Sequence, residues 1–167
     1  YKIIIKMDYI KLAASTISAK FTKTPLQKDL DQAINNEEWP APNTLLYSLA
    51  SRTNSPEDAP IILKFLWESI RLGSKDWRKV YKALVLIDIV LKTGSDRALQ
   101  EIRDETFKIR LLADFSHYEN GMEYGNGIRT KAGEISMLLG DRRALDAERE
   151  KSRSTSSKYV GFSSLDY

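Results

Sequence analysis

Between Trp77 and Leu91 the chain is so apolar that a helix formed there has to be buried on most sides. Trp77, Val80, Tyr81, Leu84, Val85, Leu86, Ile87, Ile89, Val90 and Leu91 leave little circumference for water. One sector differs. Lys75, Arg78, Lys79 and Lys82 follow at steps of three, one and three residues. At the helical rotation per residue these four cations fall within roughly 100° of circumference. Ser74 reads as the N-cap of this helix and Gly94 as its stop. A core helix with four like charges on one face tolerates repulsion there, which an anionic ligand would relieve.

The rest of the sequence supplies helices to enclose it. Residues 7–22 place Met7, Ile10, Ala13, Ala14, Ile17 and Phe21 on one face, with Lys11, Ser15, Ser18 and Thr22 on the other. Pro25, after Thr24, sits at a first-turn position of a helix to about Asn35, which Asn36-Glu-Glu-Trp-Pro-Ala-Pro42 then breaks. Further helices are predicted from Asn43 or Thr44 to Arg52, from Glu57 or Ala59 to Leu72, and over 75–93. Ser95 caps another over roughly 95–102. Later ones run through Phe107, Ile109 and Leu112, over 128–139, and from Asp141 to about Ser152. Glu119 to Gly127, with three glycines, reads as an exposed turn. The only β-like run is Ile3-Ile4-Ile5, too isolated for a sheet. The expected fold is all-α, a right-handed superhelical stack of seven to nine helices. Its domain is expected at 24–152, between an amphipathic segment at 1–23 and a Ser-rich, disordered linker starting at 153.

Composition removes most catalytic chemistry. There is no cysteine and a single histidine, His117, so thiolate sites and His-based dyads have little to build from. No Gly-rich phosphate loop and no nucleophile–base constellation is present, so neither a cofactor, a metal nor an enzymatic activity is expected. No apolar run is long enough to span a bilayer. The opening Tyr1-Lys-Ile-Ile-Ile-Lys6 is too short for a signal peptide and lacks a cleavage site, with Met7 a plausible start, so a cytosolic compartment is expected. Trp39, Trp67 and Trp77 read as core and His117 as a surface or packing residue. The charges from Arg142 to Arg149 read as i, i+4 pairs on a solvated helix.

Net charge is only +3, but it is unevenly laid out: +4 over residues 1–23, −4 over 24–70 and +4 over 71–92. Local field, not the isoelectric point, governs what such a surface attracts. The basic stripe lacks exposed aromatics interleaved for base stacking, so nucleic acid is not an expected partner.

Several of these motifs together resemble the epsin N-terminal homology (ENTH) domain, a relative of the VHS-like superhelical domains. They are Lys75-Asp-Trp-Arg-Lys-Val-Tyr-Lys-Ala-Leu84 followed by Leu91-Lys-Thr-Gly-Ser95, with Asn36-Glu-Glu-Trp39, Leu66-Trp67 and Asp114-Phe115. The Asn120-Gly121…Gly125 turn leads into Ile128-Arg-Thr-Lys-Ala132, and Asp146-Ala-Glu-Arg-Glu150 lies near the end. The resemblance spans roughly residues 10–152. Lys158-Tyr-Val-Gly-Phe-Ser-Ser164 is further similar to the segment after the domain in the epsin-related Golgi/endosomal branch.

The resemblance implies a phosphoinositide-binding adaptor module in clathrin-associated vesicle traffic, peripheral on Golgi, endosomal or plasma membranes. Headgroup contacts are implied at Lys11, Lys20, Lys23, Asn36, Lys75, Arg78, Lys79 and Lys82, and membrane insertion at Met7, Ile10, Ala14, Ile17 and Phe21. Clathrin and adaptors would be recruited through a tail outside this chain. A second function in related domains is peptide recognition, of a SNARE or cargo segment, in grooves between helices. Two family arginines are replaced here, by Asp31 and Ser69, which favours a shallow site for a monophosphorylated lipid or general anionic attraction over a bisphosphate-selective pocket. Burying the 7–21 apolar face removes about 200 Å² from water, on the order of 5 kcal/mol. Fixing about a dozen backbone residues costs roughly 1–2 kcal/mol each, so this helix needs the interface to form.

Overall fold

Thr24 opens the first helix with a reciprocal cap. Its hydroxyl oxygen accepts the Gln27 amide at 3.2 Å, and the Gln27 side chain accepts the Thr24 N–H at 3.0 Å. Pro25 then occupies the first helical position, where its missing donor costs nothing. The computed structural model describes residues 22–162, with side chains through Thr155. The described residues form eight α-helices: α1 (Pro25–Ala33), α2 (Asn43–Arg52), α3 (Asp58–Ile70), α4 (Trp77–Thr93), α5 (Asp96–Asp104), α6 (Thr106–Arg110), α7 (Asn126–Gly140) and α8 (Arg142–Phe162). Two single 3₁₀ turns lie at Ser74–Asp76 and Leu111–Asp114.

α4 is the helix around which the others are arranged, as its apolar run requires. α2, α3, α5, α7 and α8 all pack against it. Val80, Ala83, Leu84, Leu86, Ile87, Val90 and Leu91 are fully enclosed and join one continuous core with Leu30, Leu49, Ile62, Leu66, Ile102, Ile128 and Ile135. The all-α expectation holds, and so do most helix positions. Ser74 differs: it lies inside the 3₁₀ turn before α4, and Asp76 stands at the N-cap position without a side-chain capping bond to the helix amides.

Three further expectations are corrected. α8 does not end at Ser152 but continues to Phe162. The turn at 119–127 contains a two-stranded antiparallel hairpin, β1 (Tyr118–Glu119) and β2 (Met122–Glu123). Its two linking residues both have positive φ, Asn120 at 52° and Gly121 at 79°, the geometry for which Asn-Gly is the preferred pair. Trp39 is not core. It stands 76% exposed in the loop between α1 and α2, where helical periodicity does not reach and Glu37, Glu38 and Pro40 are also exposed. Trp67 is buried as expected, and Trp77 is partly buried.

The C-terminal end of α4 is closed by a polar junction. Arg149 of α8, only 7% exposed, donates to the carbonyls of Leu91 at 2.6 Å and Gly94 at 2.9 Å, and to the Asp96 carboxylate at 2.8 Å. The last carbonyls of a helix have no partner within it, and they form its negative end, so a guanidinium satisfies both needs. Arg149 is therefore not a member of a solvated i, i+4 row, although Arg142 and Asp146 do pair at 4.0 Å. Thr53, buried at the end of α2, accepts the Ser95 amide through Oγ1 at 2.9 Å and donates to the Ala50 carbonyl at 2.6 Å. Gly94 stops α4 because of space and not because of a left-handed φ. A Cβ there would stand 2.6 Å from the Val90 carbonyl oxygen and 2.9 Å from Thr53 Oγ1.

Replacing Arg149 by Met leaves two buried carbonyls unpartnered and should cost about 3 kcal/mol. That corresponds to a Tm lower by roughly 6–12 °C in a chain of this size. Arg142→Met, on the exposed face of the same helix, should stay within about 0.5 kcal/mol. Thermal and urea unfolding of the two variants side by side measures the contrast, and equal losses would contradict the capping role.

Candidate functional site

The loop after α1 folds back over the start of α4 and is tied there by two of the four stripe cations, Lys82 and Arg78, and by Asn36. Lys82 Nζ donates to Asn35 Oδ1 at 2.6 Å and to the Glu37 carbonyl at 2.8 Å. Asn36 donates its amide to Asp76 Oδ1 at 2.8 Å, and Lys79 Nζ lies 3.8 Å from the same oxygen. Arg78 reaches Glu38 at 3.7 Å. Lys75 is exposed and makes no ion pair among the described residues.

The stripe is therefore real but uneven. Lys82 is committed to holding the loop. Partial burial lowers its pKa, Glu37 opposes that shift, and the neighbouring Arg78 charge adds to it. Lys75, Arg78 and Lys79 keep more freedom at the rim. Lys23 lies elsewhere, in a 2.5 Å pair with Asp31 on α1. Lys11 and Lys20, like Met7, Ile10, Ala14, Ile17 and Phe21, lie outside the described residues.

An aromatic cluster fixes the other side of the site. Tyr124 stacks on Trp77 with centroids 4.8 Å apart, and His117 leans on both rings at 6.3 and 6.2 Å. The Arg78 guanidinium sits 4.5 Å from the centroid of the Trp77 ring. His117 is thus a packing residue beside the hairpin, consistent with its expected role. Glu123 anchors the hairpin to α7. It accepts both Arg129 nitrogens at 3.0 Å and the amides of Gly125 at 2.7 Å and Asn126 at 3.1 Å. The Arg129 hydrogen bonds, chief among these contacts, pull its pKa down to about 2.

Two clefts flank the stripe. One, of about 370 Å³, lies between the loop and α4 and is largely apolar, with Ala33, Ala41, Leu46, Trp77, Tyr81 and Val85 in its walls and Arg78 and Lys82 at its edge. The other, of about 210 Å³, lies between α1, α3 and α4 and is lined by Asp31, Ile34, Phe65, Glu68, Ser69, Leu72 and Lys79. Asp31 and Ser69 therefore share one cleft with Lys79. Sequence reasoning missed Asn35, Tyr124 and the Glu123–Arg129 clamp. The Asn120-Gly121 pair was the available signal for the hairpin that carries the clamp. Among the described residues no group of histidine and carboxylate side chains could hold a metal.

With this geometry in place, a family model described as the ENTH domain matches residues 23–145. The chain belongs to the ENTH domain family. It is 36% identical over 168 residues to the Arabidopsis thaliana clathrin interactor EPSIN 1, covering 95% of this chain and 30% of that protein. Human Epsin-2 is 34% identical over 125 residues, which is 74% of this chain and 20% of that one. This ENTH chain spans between about a fifth and a third of the length of the first relatives it matches. Among solved structures, the human epsinR ENTH domain superposes with a TM-score of 0.76 at 26% identity, covering 80% of this chain and 99% of that one. The ENTH domain of epsin-2 in complex with phosphatidylinositol 4,5-bisphosphate gives 0.75 at 28%, covering 80% and 96%. The fold is accordingly the all-α superhelix of the ENTH family.

The Glu123–Arg129 clamp carries a pH signature. The folded carboxyl titrates below its ordinary range, so its stabilisation is complete above about pH 4.5 and disappears as pH falls toward 2. Glu123→Gln should be less stable than the parent at neutral pH, and the gap should close over that acid range. Urea midpoints measured from pH 7 to 2 check this; a gap that stays constant would mean the charge contributes nothing.

Proposed function

We propose that this chain is a phosphoinositide-binding adaptor module of clathrin-associated vesicle traffic, peripheral on a cytosolic leaflet and binding rather than catalytic. The observation that carries the reading is the gathering of Lys75, Arg78 and Lys79 at the N-terminal end of α4, with Asn36 and Lys82 bracing the loop beside them. The positive pole of the helix adds to these charges, so the spot favours a phosphate. The complex of the epsin-2 ENTH domain with phosphatidylinositol 4,5-bisphosphate supports the ligand class. Among the described residues no helix is long and apolar enough to cross a membrane, consistent with a peripheral attachment.

In this reading residues 1–23 form the amphipathic segment, with Met7, Ile10, Ala14, Ile17 and Phe21 entering the lipid and Lys11, Lys20 and Lys23 attracted to it at roughly 1 kcal/mol each. Residues 24–152 are the folded domain, and the Ser-rich segment from 153, carried as helix to Phe162 by α8, leads away from it. Clathrin and adaptors would be engaged by sequence beyond this chain, on Golgi, endosomal or plasma membranes. The apolar cleft beside Tyr81 favours a second, compatible reading: a groove for a peptide such as a SNARE segment. Binding of a SNARE domain that survives removal of residues 1–22 and is lost in Tyr81→Glu would support it.

Lys79→Glu and Lys75→Glu should each weaken co-sedimentation with phosphoinositide liposomes by roughly 10–30-fold, a two-charge change at about 1 kcal/mol per charge. The parent should gain helical circular dichroism on those liposomes, and a chain lacking residues 1–22 should not. Equal binding to neutral and phosphoinositide liposomes would sink the proposal.

A further inference from the structure

Trp39 is held out in water by a loop that is otherwise pinned down. The residue is 76% exposed, and its chain neighbours Glu38, Pro40 and Ala41 line the apolar cleft against α4 while Trp39 does not. The posture is fixed from both sides. Before it, Asn35 donates to the Gln32 carbonyl at 3.0 Å and accepts the Glu37 amide at 3.2 Å. Asn36, Glu37 and Glu38 are tied in turn to Asp76, Lys82 and Arg78. After it, Pro40 restricts Trp39 to extended backbone, and Pro42 stands at the N-cap position of α2. An isolated exposed apolar side chain needs no explanation. An indole kept out of an adjoining apolar cleft by a braced loop is a different case.

From this we infer that Trp39 is a membrane-interface anchor, its indole entering the headgroup layer of the same leaflet whose phosphates the stripe attracts. The inference rests on the reading under Proposed function and adds a lipid contact made by the folded domain, separate from residues 1–23. Position carries it. Trp39 follows Asn36 by three residues and follows Glu38, which Arg78 reaches, by one. By chain reach its Cα lies within about 11 Å of that of Asn36. One leaflet therefore meets the rim cations and the indole together, with no movement of the loop. The chemistry fits the place. An indole has an apolar body and a single N–H donor, and it prefers the membrane–water interface to either side of it. Glu37 and Glu38, exposed beside the ring, limit its depth, because carboxylates are costly in hydrocarbon. Leu111, nearly as exposed, lies on the 3₁₀ turn between α6 and α7 and lacks such neighbours, so it serves as the control.

The test uses the full chain and phosphatidylcholine vesicles carrying both phosphatidylinositol 4-phosphate and the 4,5-bisphosphate, so that headgroup preference does not enter. In one set part of the phosphatidylcholine is brominated, which quenches a tryptophan that enters the bilayer. Trp39→Phe removes the loop's indole and leaves Trp67 and Trp77, the other two tryptophans of the chain. The parent's fluorescence should be quenched by the brominated vesicles more strongly than that of Trp39→Phe. Trp39→Ser should weaken co-sedimentation by roughly 5–10-fold, as for an aromatic ring partly withdrawn from water, and Leu111→Ser should leave it unchanged. Both positions are exposed, so these variants should keep the parent's Tm. Equal quenching in the parent and Trp39→Phe, or Trp39→Ser binding as the parent does, overturns the anchor, leaves headgroup binding intact and leaves the indole to a protein partner. Binding by the parent no better to these vesicles than to phosphatidylcholine alone overturns both the anchor and the headgroup reading beneath it.

Discussion

A guanidinium buried against the last carbonyls of α4 is the interaction on which the arrangement of the other helices depends. α4 is enclosed on most sides, so the end of the helix cannot satisfy its carbonyls with water. Arg149 does this from α8, the last helix, and in doing so ties the end of the chain to its centre. Thr53 joins α2 to the start of α5 at the same point, and Gly94 is there because no side chain fits between Val90 and Thr53. One junction therefore fixes the relative positions of α2, α4, α5 and α8. It also fixes where the other end of α4 lies, about 25 Å away for a helix of this length.

That other end is electrostatically one-sided. A helix N-terminus favours anionic neighbours, yet this one is approached by Lys75, Arg78 and Lys79. Dipole and side chains add up instead of cancelling. Asp76, Glu37 and Glu38 offset part of the field, and each is used to position something: Asp76 holds Asn36, the Glu37 carbonyl holds Lys82, and Glu38 holds Arg78. Glu37 and Glu38 of the loop thus brace cations, Glu37 through its backbone carbonyl, and Asp76 braces the loop through Asn36. Surface pairs of this kind contribute little to stability.

The features legible in the sequence were those set by local periodicity and local chemistry. The apolar density of residues 77–91 marked α4 as the central helix, and Thr24-Pro25 and Ser95 marked helix starts that the structure keeps. The features that escaped are set by tertiary neighbours. Arg149 has the same spacing as its solvated companions on α8, and only the position of α4 beneath it makes it a cap. Trp39 has the composition of a core residue, but the loop that carries it turns outward. Lys82 belongs to the stripe by angle, and is withdrawn from it because Asn35 and the Glu37 carbonyl lie within its reach. Angle on a helix says which way a side chain leaves the axis, and says nothing of what waits there.

The withdrawal of Lys82 bears on how much anion affinity the stripe can supply. A stripe of four equal cations would be a strong anion site by itself. Three rim cations, two of them already facing Asp76 and Glu38, are a weaker one. On the proposed reading the missing affinity comes from residues 1–23, with their +4 charge and apolar face, which are bound to the same leaflet through a short connection. Two weak contacts joined in one chain multiply through their effective concentration. Specificity and affinity then have separate sources, the folded site reading the phosphate and the N-terminal segment supplying the hold.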